Sequence, residues 1–184
     1  GSLKYDEGAF VGGVAFEAHK DLRNDYASAL PVGGAKSYAT SDSGVEATFG
    51  YRYLEGCSAN VAYSMLKYTS ADLVGGALAA YSRNAYQLTV LHQLSDIMLR
   101  FGYAMADKGR ATKGDGSDVN VDGLGATMLD LGASYSLSKR TDLYVLLAKV
   151  WNGNGAYNFN ASQLAAATSG VDPQSLGVGV RHTF

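Results

Sequence analysis

The chain has 184 residues, enough for one domain of ordinary size, and 47% of them are hydrophobic. Its formal net charge of −2 and pI near 5.9 argue against nucleic acid as a partner. Mean hydropathy is only −0.06 because apolar and polar residues interleave, and no run approaches the roughly 20 apolar residues of a membrane-crossing helix, which excludes helical spans and leaves strands open.

In chain order, residues 2–6 alternate Leu3 and Tyr5 with Lys4 and Asp6. A turn at Glu7-Gly8 leads to 9–20, where Phe10, Val14 and Phe16 oppose Gly13, Ala15, Glu17 and His19. A period of two is the mark of a strand with unlike faces. A long polar stretch, 21–43, precedes the clearest alternation, 44–53, with Val45, Ala47, Phe49, Tyr51 and Tyr53 against Glu46, Thr48, Gly50 and Arg52. After a tight turn, 57–68 sets Ala59, Val61, Tyr63 and Met65 against Ser58, Asn60, Ala62 and Ser64. The second long loop is 69–81. Residues 82–93 then set Tyr86, Leu88 and Val90 against Arg83, Gln87 and Thr89, and 97–106 sets Leu99, Phe101, Tyr103 and Met105 against Arg100, Gly102 and Ala104.

The third long loop, 107–126, is rich in Gly and Asp. Residues 127–137 place Leu129, Leu131, Ala133 and Tyr135 opposite Asp130, Gly132 and Ser134. The turn Ser138-Lys139-Arg140-Thr141 leads to 142–151, where taking Lys149 as inward puts Tyr144, Leu146, Ala148 and Val150 outward. After a fourth long loop, 152–172, the strand 175–184 alternates Leu176, Val178, Val180, His182 and Phe184 with Ser175, Gly177, Gly179, Arg181 and Thr183.

The reading is all-β: an antiparallel transmembrane β-barrel, with about nine strands present. Short turns and long loops alternate along the chain, as in outer-membrane barrels with short periplasmic turns and long outer loops. Tyr51, Tyr53, Tyr135 and Tyr144 are expected in an aromatic girdle on the outward face. The first and last strands run the same way, whereas an up-and-down barrel closes on an even number. The whole chain, 1–184, is therefore expected to be part of one larger barrel domain. The plainer alternative drops 2–6 as a strand, so that eight strands close alone into a small barrel serving adhesion or membrane anchoring. No signal-peptide pattern opens the sequence, so such a segment is expected to have been removed or to lie outside it. The lone Cys57 makes no internal disulfide and leaves redox compartment unread.

Three stretches carry a family resemblance: the ending Leu176-Gly-Val-Gly-Val-Arg-His-Thr-Phe184, the segment from Leu129 to Tyr144 around Ser-Lys-Arg-Thr, and the opening Gly-Ser-Leu-Lys-Tyr-Asp-Glu-Gly8. Together they resemble the trimeric general porins of beta-proteobacterial outer membranes. The likeness covers the C-terminal half of that family. It implies a sixteen-stranded barrel in the bacterial outer membrane, a homotrimer, and passive diffusion of ions and small hydrophilic solutes through a water-filled channel. Anion selectivity through basic wall residues is implied too.

The alternation places Lys4, Arg52, Arg100, Lys149 and Arg181 inward as pore-lining charge, with Asp6, Glu17, Glu46 and Asp130; of these Arg181 is the leading selectivity residue. The plain alternative is that these charges pair and solvate the wall. Phe184, His182 and Val180 resemble the terminal signal read by the barrel-assembly machinery, or else pack simply in a girdle. Asp118-x-Asn120-x-Asp122-Gly123 matches the first ligands of a calcium loop, but the closing position is Leu129 rather than Glu and no flanking helices are expected. An ordinary acidic outer loop, bridged by divalent ions to lipopolysaccharide, is the simpler reading. The three histidines are scattered, no cofactor motif is present, and no catalytic frame of Ser/His/Asp or paired acids stands out, so the chain is not expected to be an enzyme.

Overall fold

The computed structural model of the chain describes residues 1–20, 40–70, 78–154 and 170–184. These form one antiparallel sheet of ten strands: β1 (Ser2–Glu7), β2 (Phe10–Lys20), β3 (Thr40–Leu54), β4 (Cys57–Ser70), β5 (Leu78–Leu94), β6 (Ile97–Ala106), β7 (Arg110–Lys113), β8 (Ala126–Ser138), β9 (Thr141–Asn152) and β10 (Gln174–His182). Nine lie in sequence order along the sheet; β7 sits off that path and extends it beside the start of β5. No helix occurs among the described residues.

The nine expected strands are all present. Residues 2–6 form one, paired over the full length of β1 with β2. β1 and β10 are the two free edges, so the sheet does not close, and closure of eight strands alone is not what the chain adopts. β3 and β5 start earlier than the alternation indicates, and β7 falls within the expected third long loop, 107–126. The added residues carry no contrast between faces: β3 opens on Thr40-Ser-Asp-Ser43, polar on both sides, and β5 on Leu78-Ala-Ala-Tyr81, apolar or small on both. Residues 21–39, 71–77 and 155–169, most of three expected long loops, lie outside the described residues.

Directly opposed residues of an antiparallel pair share a face, so the register sorts every side chain. One face is apolar from edge to edge. Leu3, Val14, Ala47, Tyr63, Tyr86, Met105, Thr127 and Trp151 form one lateral row of it. This face is exposed: Val178 is 75% and Leu3 73% accessible. The buried cluster is small and lies elsewhere, at the loop-side margin of the other face, where Tyr68, Ala111, Val121 and Leu124 pack with Tyr81 and Val119. A sheet that leaves its continuous apolar face bare is the reverse of a soluble sandwich.

Candidate functional site

The second face is polar, and its charges fall in lateral rows. Arg52, Ser58, Leu91 and Arg100 lie in one lateral row near the short turns. The adjacent row holds Asp6, Gly50, Asn60, Thr89, Gly102 and Asp130. Of the sequence-expected residues, Lys4, Asp6, Glu17, Glu46, Arg52, Arg100, Asp130 and Arg181 share this face.

Lys149 does not. It stands opposite Leu129 on one side and Gln174 on the other, so it belongs to the apolar face, with Leu147, Val145 and Trp151. Its Nζ lies 5.4 Å from the Trp151 ring centroid, with Trp151 the next residue of that face toward the loops. Tyr144, Leu146, Ala148 and Val150 turn to the polar face instead, which removes Tyr144 from the outward girdle. The cause is a bulge: the register slips between Ser136 and Ser138, and one extra residue in β8 flips the parity carried across the turn. Tyr51 and Tyr135 keep their outward places.

At the turn-side end the polar face is built from ion pairs. Arg52 donates to Asp6 Oδ1 at 2.8 Å and to the Gly8 carbonyl at 3.0 Å, and Lys4 reaches the other Asp6 oxygen at 3.3 Å. Arg181 donates to Asp142 through Nε at 3.2 Å and a terminal nitrogen at 2.5 Å, while Ser136 donates to the same carboxylate at 2.8 Å. Arg100 donates to Ser134 Oγ at 3.0 Å. Asp142 is not among the sequence-expected residues, because taking Lys149 as inward turns Asp142 outward, whereas the register pairs it with Ser136 on the polar face. At the loop-side end, His19 bridges Glu17 at 2.7 Å and Asp42 at 3.2 Å. Arg83 also stands on the polar face.

Space on this face is made by glycine. A Cβ on Gly102 would fall 2.0 Å from the Asp130 carboxylate, and one on Gly179 would meet the Tyr144 hydroxyl at 2.5 Å. Each glycine is thus the floor beneath a larger polar neighbour.

The described segment after β7 folds back over the loop-side end of the polar face. Val119 N–H donates to the Ala111 carbonyl at 2.9 Å, and Val121 and Leu124 bury against Tyr68 and Ala111. The partial calcium motif lies here. Asn120 Oδ1 accepts the Asp122 N–H at 2.8 Å, and Lys108 Nζ reaches Asp122 Oδ1 at 2.5 Å. Two of the three expected ligands are therefore engaged within the chain, and among the described residues no group of three acids, histidines or cysteines is placed to hold a metal. The Ser117 hydroxyl and N–H both donate to Asp115 and hold its carboxyl below the ordinary aspartate value.

At the chain's last strand, β10 stops at His182. The His182 ring accepts from or donates to Thr141 Oγ1 at 2.9 Å and meets the Phe184 ring edge-on at 4.9 Å; the Phe184 side chain is fully exposed.

No protein-family model matches the sequence, and no curated protein matches it significantly. Solved structures do match in shape. An anion-selective porin from Comamonas acidovorans superposes over 100% of this chain and 48% of its own, at 19% identity and a TM-score of 0.65. OmpT, an outer membrane protein of Vibrio cholerae in its trimer form, matches 98% of this chain and 54% of its own, at 13% identity and a TM-score of 0.62. The fold is that of an outer-membrane β-barrel. The chain spans about half the length of these structures, and its sheet is correspondingly open.

Proposed function

We propose that the chain is the C-terminal half of a sixteen-stranded, trimeric general porin of the beta-proteobacterial kind, in the bacterial outer membrane. It is a passive channel for ions and small hydrophilic solutes, not an enzyme. The observation that carries this reading is the pairing of an exposed, edge-to-edge apolar face with a charged face on one continuous sheet. Lipid accounts for the first and water for the second. The strand count agrees. Nine strands on the sheet path leave β1 and β10 running the same way, so an odd number of further strands must close the barrel, and sixteen-stranded closure adds seven.

Arg52, Arg100 and Arg181 stand toward the short turns on the proposed lumen wall, with Glu17, Glu46 and Asp130 nearer the loops. The basic end supports an anion preference, tempered by the pairing of Arg52 with Asp6 and of Arg181 with Asp142. The shared face of Val180 and His182, with the Phe184 ring against His182, supports a signal for the barrel-assembly machinery. The acidic segment 115–122 is an outer loop, and it supports divalent bridging to lipopolysaccharide.

The deciding experiment is single-channel recording of the intact protein in planar bilayers. Stepwise ohmic conductance is expected. A protein that inserts into the bilayer without conducting would leave an anchoring barrel in place of a porin.

A further inference from the structure

The apolar face changes character row by row toward the long loops. Tyr63 and Tyr86 oppose each other with ring centroids 5.4 Å apart, and Trp151 ends the same lateral row. One row nearer the loops, Met65 faces Asn84. In the next row Ser43, Lys67, Ser82 and Arg110 follow one another. Lys67 and Arg110 flank Ser82 from opposite sides, so their backbones are two strand spacings apart, about 10 Å. Both side chains are exposed, and neither pairs with a carboxylate among the described residues.

A depression of about 490 Å³ opens at this point, lined by Met65, Ser82, Asn84, Asp107, Lys108 and Arg110. Gly109 shapes it. Its φ of +72° and its approach to β5, where a Cβ would fall 2.4 Å from the Ser82 carbonyl, exclude any larger residue. The Asp107 carboxylate is spent internally on the Asn84 backbone N–H, the Asn84 side chain and the Gly109 N–H. Lys108 is held by Asp122. The depression itself offers Arg110 and the Ser82 hydroxyl, and Lys67 stands at its margin, directly opposite Ser82 on β4.

The distribution of charge on this face is one-sided. Lys20, Lys67, Arg110 and Lys149 all lie in the loop-side parts of their strands. Among the described strands no lysine or arginine stands on the turn-side half of the apolar face; Lys139 and Arg140 are in the β8–β9 turn itself.

We propose that the depression between β4, β5 and β7 is a headgroup site for a phosphorylated lipid of the loop-side leaflet. Lys67 and Arg110 bind the phosphate oxygens, Ser82 Oγ donates a further hydrogen bond, and the acyl chains run down over Met65, Tyr63 and Tyr86. A second copy of the chain is the poorer occupant: a twofold contact would set this patch cation against cation, and the heterologous contact of a trimer needs a facing acidic patch, whereas no aspartate or glutamate of the described strands stands on the loop-side half of the apolar face. The inference rests on the membrane-spanning reading above.

The test uses the intact protein in phosphatidylcholine nanodiscs, with retention of added diphosphoryl lipid A, or of its dephosphorylated form, read by native mass spectrometry. Wild type should retain the diphosphoryl lipid at least tenfold better than the dephosphorylated one. The double variant Lys67→Gln/Arg110→Gln should lose that preference, and Lys67→Arg/Arg110→Lys should keep it. Equal retention of both lipids by wild type, or unchanged retention by the Gln double variant, overturns the site. Disulfide capture of a Ser82→Cys variant by its own copy also overturns it, in favour of a subunit contact. Failure to enter phosphatidylcholine at all sinks the spanning reading and the site with it, whereas entry without the phosphate preference removes the site alone.

Discussion

Lys149 stands directly opposite Leu129 in the β8–β9 ladder, and that single pairing fixes the orientation of the whole of β9. It places Leu147 with Leu131 on the apolar face and Leu146 with Gly132 on the polar one. The two leucines are equally accessible in the open sheet, 46% and 45%, so only the register distinguishes them. Leu147→Arg should therefore destabilise the folded barrel by about 2–4 kcal/mol, the cost of a cation against mid-bilayer lipid. Leu146→Arg should be accepted within about 1 kcal/mol and should change conductance instead. Urea unfolding from vesicles measures both. The reverse ranking would restore the parity inferred from the sequence.

Arg181 and Asp142 are the second pair. Arg181 gives two nitrogens to one Asp142 oxygen, so much of its positive field is cancelled where it stands. Asp142→Asn keeps the size and removes the cancelling charge, and should move the reversal potential toward anions. Arg181→Glu sets two carboxylates side by side and should move it toward cations by more. Measured in a tenfold salt gradient, shifts of opposite sign are expected. No shift in either variant would reduce the pair to a solvated piece of wall.

How much of this was legible in the sequence follows from where water and lipid meet the sheet. In the apolar band the two faces see different solvents, and Val45 to Tyr51 against Glu46 to Arg52 announce the strand and its orientation together. Toward the loops both faces are wet, so the start of β3 at Thr40 and the short strand Arg110–Lys113 carry no such contrast. In β9 both alternate sets are apolar, Leu143, Val145 and Leu147 against Tyr144, Leu146 and Val150. The choice then rested on Lys149, a residue whose long stem lets a charge reach water from the margin of an apolar face. Asp142 followed the same error. The partners across the strands, Asp6 for Arg52 and Asp130 over Gly102, depend on register, which no single strand displays.

Ser95 turns the β5–β6 hairpin with φ of 52°, the one non-glycine residue among the described ones with positive φ; Gly8 and Gly56 serve the corresponding turns earlier in the chain. A side chain in this left-handed region costs about 1 kcal/mol. Ser95→Gly removes that cost but widens the unfolded ensemble, so the net gain should be at most about 1 kcal/mol. Ser95→Val, a branched side chain in the same conformation, should lose stability and slow hairpin pairing. Thermal melting of the three proteins gives the order Gly, Ser, Val. A Val variant as stable as wild type would mean that the turn relaxes to another shape.

The segment after β7 is held down by two unlike contacts, and they can be broken separately. Val121 and Leu124 bury against Tyr68 and Ala111, while Gly153 lies so close to Gly123 that a Cβ would fall 2.3 Å from its carbonyl oxygen. The obstacle at Gly153 is backbone rather than a movable side-chain tip, so Gly153→Ala must push the segment away or distort the end of β9. Val121→Asp acts on the other contact by placing a charge in the apolar cluster. Both variants should expose the chain after Lys113 to trypsin, and both should raise single-channel conductance if the segment narrows the loop-side mouth. The Ser117 hydrogen bonds that lower the Asp115 carboxyl lie within the segment, so what they contribute above the unfolded pKa is lost as pH falls through the lower folded value while the contacts to the wall stay in place. Faster cleavage with unchanged conductance would show a segment that packs on the wall without obstructing the opening.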